Sequence, residues 1–128
     1  MQALSILEPA ACGNEPRRFM RGLTDFGKIR NTDTPFWYYD MDLLRATVDK
    51  AAELSRKYGI GLHYAVKANV EPRIVQYISS KGFGADCVSG NEVVFAAENG
   101  FSPDTIVYAG VGKTDKEINT ALDLGIEA

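Results

Sequence analysis

Lys67 closes the run HYAVK and precedes Asn69 in a stretch otherwise built of apolar residues. Alternation along an extended strand would send Leu62, Tyr64 and Val66 to one face and His63, Ala65, Lys67 and Asn69 to the other. A lysine at a strand's carboxyl end, beside a small alanine, can be desolvated enough to lower its pKa. Its amine is then free as a nucleophile for Schiff-base chemistry. The plainer reading packs the stem and leaves the ammonium in water, and spacing alone keeps both open. His63 is the only histidine; it lies about 13 Å deeper along such a strand, where a structural role is expected.

A second constellation is FGADCVSGNE, residues 83–92. Asp86 ends the next apolar run, so it faces the same rim as Lys67. There it could orient an amine or bond to turn amides. Ser89 and Glu92 have the spacing of a capping box, which explains them without catalysis.

The third, YAGVGKTD, residues 108–115, invites comparison with a phosphate loop. That loop requires a glycine where this chain has Val107, so the match fails. Thr114 as an N-cap, answered by Glu117 three residues on, accounts for the stretch, although Gly110 and Gly112 would let a ligand approach the backbone.

These residues need elements to position them. Residues 1–33 carry Gly, Pro, Asn and Asp with scattered Arg17, Arg18, Arg21 and Arg30, and read as an irregular lead-in. TPFWYYD, residues 34–40, reads as a short aromatic strand, and Asp40 as the N-cap of a helix that ends at Gly59. That helix is expected to bury Leu43, Leu44, Thr47, Val48, Ala51 and Leu54.

From there a strand, a turn and an amphipathic helix repeat. The strands are GLHYAVK, FGADCVS, TIVYAG and the start of a fourth in GIEA; three helical stretches close on Gly82, Gly100 and Gly125. This alternation predicts an α/β fold with parallel strands and right-handed crossovers, either a doubly wound sheet or part of a (β/α)8 barrel. Both architectures place their chemistry at the carboxyl ends of the strands. A complete barrel takes about 250 residues.

The bulk composition is that of a globular domain. A net charge of -3 with interspersed signs supplies no basic stripe for a nucleic acid. No segment approaches the roughly 20 apolar residues that span a bilayer. The N-terminal run lacks a basic lead and is interrupted by Pro9, so it does not read as an export signal. Cys12 and Cys87 have no metal-like spacing, no metal site is expected, and a buried free thiol at Cys87 fits a reducing cytoplasm.

Taken in order, TPFWYYD, HYAVKANVEP, GFGADCVSGNE and IVYAGVGKTDKEI resemble the N-terminal part of the diaminopimelate decarboxylases. These are fold-type III pyridoxal-phosphate enzymes of the alanine-racemase-like group, akin to ornithine and arginine decarboxylases. The resemblance runs from Thr34 to Ala128.

It implies that Lys67 binds the aldehyde of pyridoxal 5'-phosphate, that Asp86 lies beside the cofactor, and that Ala65 packs against its ring. It implies decarboxylation of meso-2,6-diaminopimelate to L-lysine, the last step of lysine biosynthesis, by a cytoplasmic homodimer. The phosphate loop, the partner of the ring nitrogen and the second β-domain, with which residues 34–40 would associate, come from later sequence in that family. Residues 41–128 therefore read as about three βα units of a barrel in a truncated chain, inactive alone.

Two alternatives remain at this point. One is a racemase or an ornithine or arginine decarboxylase of the same fold. The other is a small, non-enzymatic α/β binding module.

Overall fold

A computed structural model describes residues 31–126 of the chain. Residues 1–30 of the expected lead-in, with Cys12, Arg17, Arg18, Arg21 and Arg30, lie outside the described residues, as do residues 127–128 of the expected fourth strand. The chain divides between Asp40 and Met41 into two units.

In the first unit, the Thr34–Pro35 peptide is cis. Residues 34–40, expected as a strand, carry no regular secondary structure. A strand exists through its ladder with a neighbour, and the described strands pair only with one another, in the second unit.

The second unit opens with α1, Met41–Tyr58. Three βα repeats follow: β1 (His63–Ala65) and α2 (Pro72–Ser79), β2 (Gly84–Cys87) and α3 (Gly90–Glu98), then β3 (Ile106–Tyr108) and α4 (Asp115–Asp123). The expected order of elements is thus present. Gly82, Gly100 and Gly125 follow α2, α3 and α4 with φ of 82°, 93° and 74°, the left-handed C-cap anticipated for them.

The strands form one parallel sheet in the order β1-β2-β3. Tyr64 pairs with Ala85 and Ala85 with Ile106, while Cys87 pairs with Tyr108. Partners in register project to the same side. Ala85, Cys87 and Ile106 are buried on that side, and α3 packs against β2 and β3. Val66, Val75 and Val93 are fully enclosed, each worth roughly 1.5–3 kcal/mol of transfer free energy.

Polar ties join the helices. Gln76 of α2 donates to Asn99 Oδ1 at 3.1 Å, and Asn99 donates to the Phe95 carbonyl at 2.8 Å, which satisfies a buried amide. On the surface, Asp49 of α1 accepts from Tyr77 at 2.9 Å and pairs with Lys81 at 2.7 Å.

Two expectations need correction. The inward stripe of α1 is rotated: Leu44, Val48 and Ala51 are shielded as expected, but Ala52 is the buried residue and Leu43, Thr47 and Leu54 are exposed. Arg45 and Asp49, on the same stripe as Ala52, meet Tyr77 of α2, which turns that stripe toward the neighbouring helix. The first strand is also shorter than expected, because Val66–Ala68 winds into a 3-10 turn. Strand alternation therefore does not carry through to Lys67 and Asn69.

Candidate functional site

The sheet's second face holds a continuous row. Ala65 pairs with Asp86 and Asp86 with Val107, on adjacent strands about 4.8 Å apart. Ala65 and Asp86 are half-buried and Val107 is 46% exposed. A methyl, a carboxylate and an isopropyl group thus make a low floor, and the acid sits at its centre.

Lys67 stands two residues past Ala65, at the carboxyl rim above this row. Its backbone is clamped locally. Tyr64 Oη donates across it to the Asn69 carbonyl at 2.9 Å, and Asn69 Oδ1 accepts the Glu71 amide at 2.8 Å, leading into α2. Buried Val66 anchors the same turn. The side chain of Lys67 is exposed, so the shelter anticipated for its amine is not furnished by the described residues. Three strands leave the inner face of a sheet open, whereas eight enclose it.

The neighbouring loops are fixed by their own polar groups. Ser89 accepts the Glu92 amide at 3.3 Å, while Glu92 Oε2 accepts from Val88 N–H at 2.9 Å. The box is therefore closed one residue earlier than its usual form. At the start of α4 the box is complete: Thr114 Oγ1 accepts the Glu117 amide at 3.3 Å, and Glu117 Oε2 accepts the Thr114 amide at 3.0 Å.

Lys113, the lysine of the near-miss phosphate loop, donates to the Gly110 carbonyl at 2.7 Å and lies 4.8 Å from the centre of the Tyr108 ring. That loop's lysine is spent on its own loop. Cys87 is no nucleophile either: burial foremost, then the charges of Glu92 and Asp86, pushes its thiol up to about 12.

The amide of Thr114 and its hydroxyl, followed by the Gly90 amide, hold the Glu117 carboxyl down at about 2. Its contact with Gly90, at 3.1 Å, was not foreseen. The capping pattern signals the local half of Glu117's role; nothing in spacing signals a partner 27 residues away.

Among the sequence-derived candidates, the fold places Ala65 and Asp86 side by side and Lys67 on the same rim. His63 lies at the opposite end of β1, against Gly84, away from that rim.

Residues 44–128 match the family described as pyridoxal-dependent decarboxylase, pyridoxal binding domain. The chain belongs to this family. Its relatives include the diaminopimelate decarboxylase of Bacteroides thetaiotaomicron, 46% identical over 108 residues, which make up 84% of this chain and 28% of that protein. The diaminopimelate decarboxylase of Aquifex aeolicus is 53% identical over 60 residues, 47% of this chain and 14% of that one.

Among solved structures, the diaminopimelate decarboxylase of Helicobacter pylori, complexed with L-lysine, superposes with a TM-score of 0.64. It is 37% identical and covers 79% of this chain, which corresponds to 26% of its own. The chain thus spans less than a third of the length of the curated relatives it matches. No described helix of this family member is long and apolar enough to cross a membrane.

Proposed function

We propose that this chain is the N-terminal, pyridoxal-phosphate-binding part of a cytoplasmic, homodimeric diaminopimelate decarboxylase, which converts meso-2,6-diaminopimelate to L-lysine and carbon dioxide. The observation that supports the reading is that Lys67 follows β1 two residues after Ala65, which is in register with Asp86 and, through it, Val107, in a family described by its pyridoxal-binding domain. Similarity to several diaminopimelate decarboxylases over most of the chain supports the choice of substrate.

The residues present fit part of the cofactor. An unbranched floor at Ala65 leaves room for a flat ring, and the exposed Lys67 amine is accessible to an aldehyde. When bound, pyridoxal phosphate supplies an electron-poor ring that accepts the electron pair left as carbon dioxide departs.

Lys67 has the role of holding the aldehyde carbon and of carrying a proton at Nζ. The clamp from Tyr64 to Asn69 fixes the backbone turn that carries this amine, so the Cα from which it reaches is held in place. Asp86, fixed in register beside Ala65, presents an acceptor to any donor on the ring or the substrate. Glu92 and Glu117 bind backbone amides and thereby keep the surrounding turns in place.

The test is borohydride trapping with added pyridoxal phosphate, followed by peptide mapping of the folded chain. Label on Lys67 is expected; label on another residue, or none, overturns the reading. Carbon dioxide release by the 128-residue chain alone is expected to be absent, because three strands do not enclose a reaction site.

A further inference from the structure

The β2–α3 turn and the β3–α4 loop meet at a single carboxylate. Glu117 Oε1 accepts the Gly90 amide at 3.1 Å, while Oε2 accepts the Thr114 amide at 3.0 Å and the Thr114 hydroxyl at 2.8 Å. Gly90 is the first residue of α3 and Thr114 is the N-cap of α4. One side chain therefore satisfies donors at the start of two successive helices.

The fit is steric as well as polar. A Cβ at Gly90 would stand 2.7 Å from Glu117 Cγ and 3.1 Å from its Cβ. The turn that Gly90 closes begins directly after β2, and Glu92 already holds its Val88 amide from the α3 side. On the other side, a Cβ at Gly110 would lie 3.6 Å from the Val88 carbonyl oxygen, which shows how closely the two loops run.

We infer that Glu117 is a positioning residue: its carboxylate staples the first turns of α3 and α4 together and so fixes the turn that follows Asp86 at the candidate site. The inference rests on the pyridoxal-phosphate reading of that site. The chemistry calls for a carboxylate, since both oxygens accept from N–H donors. Glutamine offers one acceptor oxygen, and its amide group would meet a donor at one end of the staple. Aspartate, one methylene shorter, cannot span the same two amides.

The experiment uses the whole 128-residue chain and two readouts. The first is a melting cycle over Glu117→Ala, Gly90→Ala and the double variant. Gly90→Ala is expected to lower the midpoint in the unsubstituted background. With Glu117→Ala it is expected to raise the midpoint or leave it unchanged, because the methyl enters vacated space and alanine is the better helix former. Additive effects of the two substitutions would overturn the staple.

The second readout is borohydride labelling of Lys67 against pyridoxal phosphate concentration, at a temperature where each chain is folded. Glu117→Ala is expected to shift the half-labelling concentration upward at least fivefold and to leave labelling at saturation unchanged. An unshifted curve would overturn the positioning role, since a purely structural residue moves only the midpoint. Should Glu117→Ala not melt cooperatively, Glu117→Gln takes its place in the labelling readout alone, with a smaller shift in the same direction, since its methylenes would still meet a Cβ at residue 90. Failure of the unsubstituted chain to label at Lys67 would instead sink the proposed function, while the melting cycle still decides the staple.

Discussion

Gly84 lies directly beneath the imidazole of His63. A Cβ at Gly84 would stand 2.4 Å from His63 Cδ2, 2.6 Å from Nε2 and 2.4 Å from the carbonyl oxygen of Thr105. The two residues are paired in register across β1 and β2. The requirement for glycine thus comes from occupied space on the inner face of the sheet.

Gly84→Ala is accordingly expected to destabilise the chain by about 1–3 kcal/mol, the usual cost of overpacking. His63→Ala alone is expected to cost less than about 1 kcal/mol, because the imidazole is exposed. In the double variant the penalty of Gly84→Ala should shrink without vanishing, since the Thr105 carbonyl belongs to the backbone and cannot be trimmed away. Urea denaturation of the four chains checks this; a full rescue by His63→Ala would show that the backbone oxygen yields.

Strand tips and helix starts were legible because each is a local pattern. Asp86 ends an apolar run, Ser89 and Thr114 carry capping spacing, and Gly82, Gly100 and Gly125 end their helices. What stayed hidden depends on neighbours distant in sequence. The end of β1 at Ala65 follows from the turn that Tyr64 and Asn69 tie across Lys67, and the face α1 buries is set by packing against the rest of the unit. Asp86 could be assigned to the rim from its run alone, whereas its register with Ala65 and Val107 needed the sheet. Gly84 reads in the sequence as one residue of the strand FGADCVS, and only the imidazole and the Thr105 carbonyl that crowd it give the reason for a glycine.

Lys67 provides a test that separates chemistry from stability. Because the side chain is exposed, Lys67→Ala and Lys67→Arg are both expected to change unfolding free energy by no more than about 0.5 kcal/mol. Both should lose borohydride-trapped pyridoxal phosphate at this position, since a guanidinium keeps the charge but does not condense as an amine. Mass spectrometry of the mapped peptide checks the label. Retained label on the peptide in Lys67→Arg would show that another amine carries the cofactor.

Cys87 faces the helices, fully buried, with its thiol raised to about 12 by burial and by the nearby charges of Glu92 and Asp86. In the folded chain at pH 8 it is expected to resist iodoacetamide, and in denaturant to react at the rate of an ordinary thiol. Peptide mapping distinguishes it from Cys12. Cys87→Ser should cost more stability than Cys87→Ala, because a hydroxyl in that apolar site would lack a partner and pay about 1–3 kcal/mol of desolvation. Equal losses would mean that the hydroxyl finds an acceptor there.

Glu117 makes a prediction whose sign follows from its bonds. The donors Thr114 and Gly90 hold its carboxyl at about 2, against an ordinary value of 4.5. The unfolded chain therefore binds more protons at this residue between those values, and stability falls as the pH is lowered through them. The stabilisation is complete above about pH 4.5, declines on acidification and is gone below about pH 2. Asp49 and Glu71 are also held below their ordinary values, by Lys81 and Arg73 respectively, so the unsubstituted chain has an acid slope from several sources. Glu117→Gln removes one of them. The difference between the two urea-midpoint profiles from pH 7 to pH 2 is expected to be flat down to about 4.5 and then to narrow steadily. A difference that stays constant across that window would mean that the carboxylate's bonds to the two helix starts contribute nothing to folding.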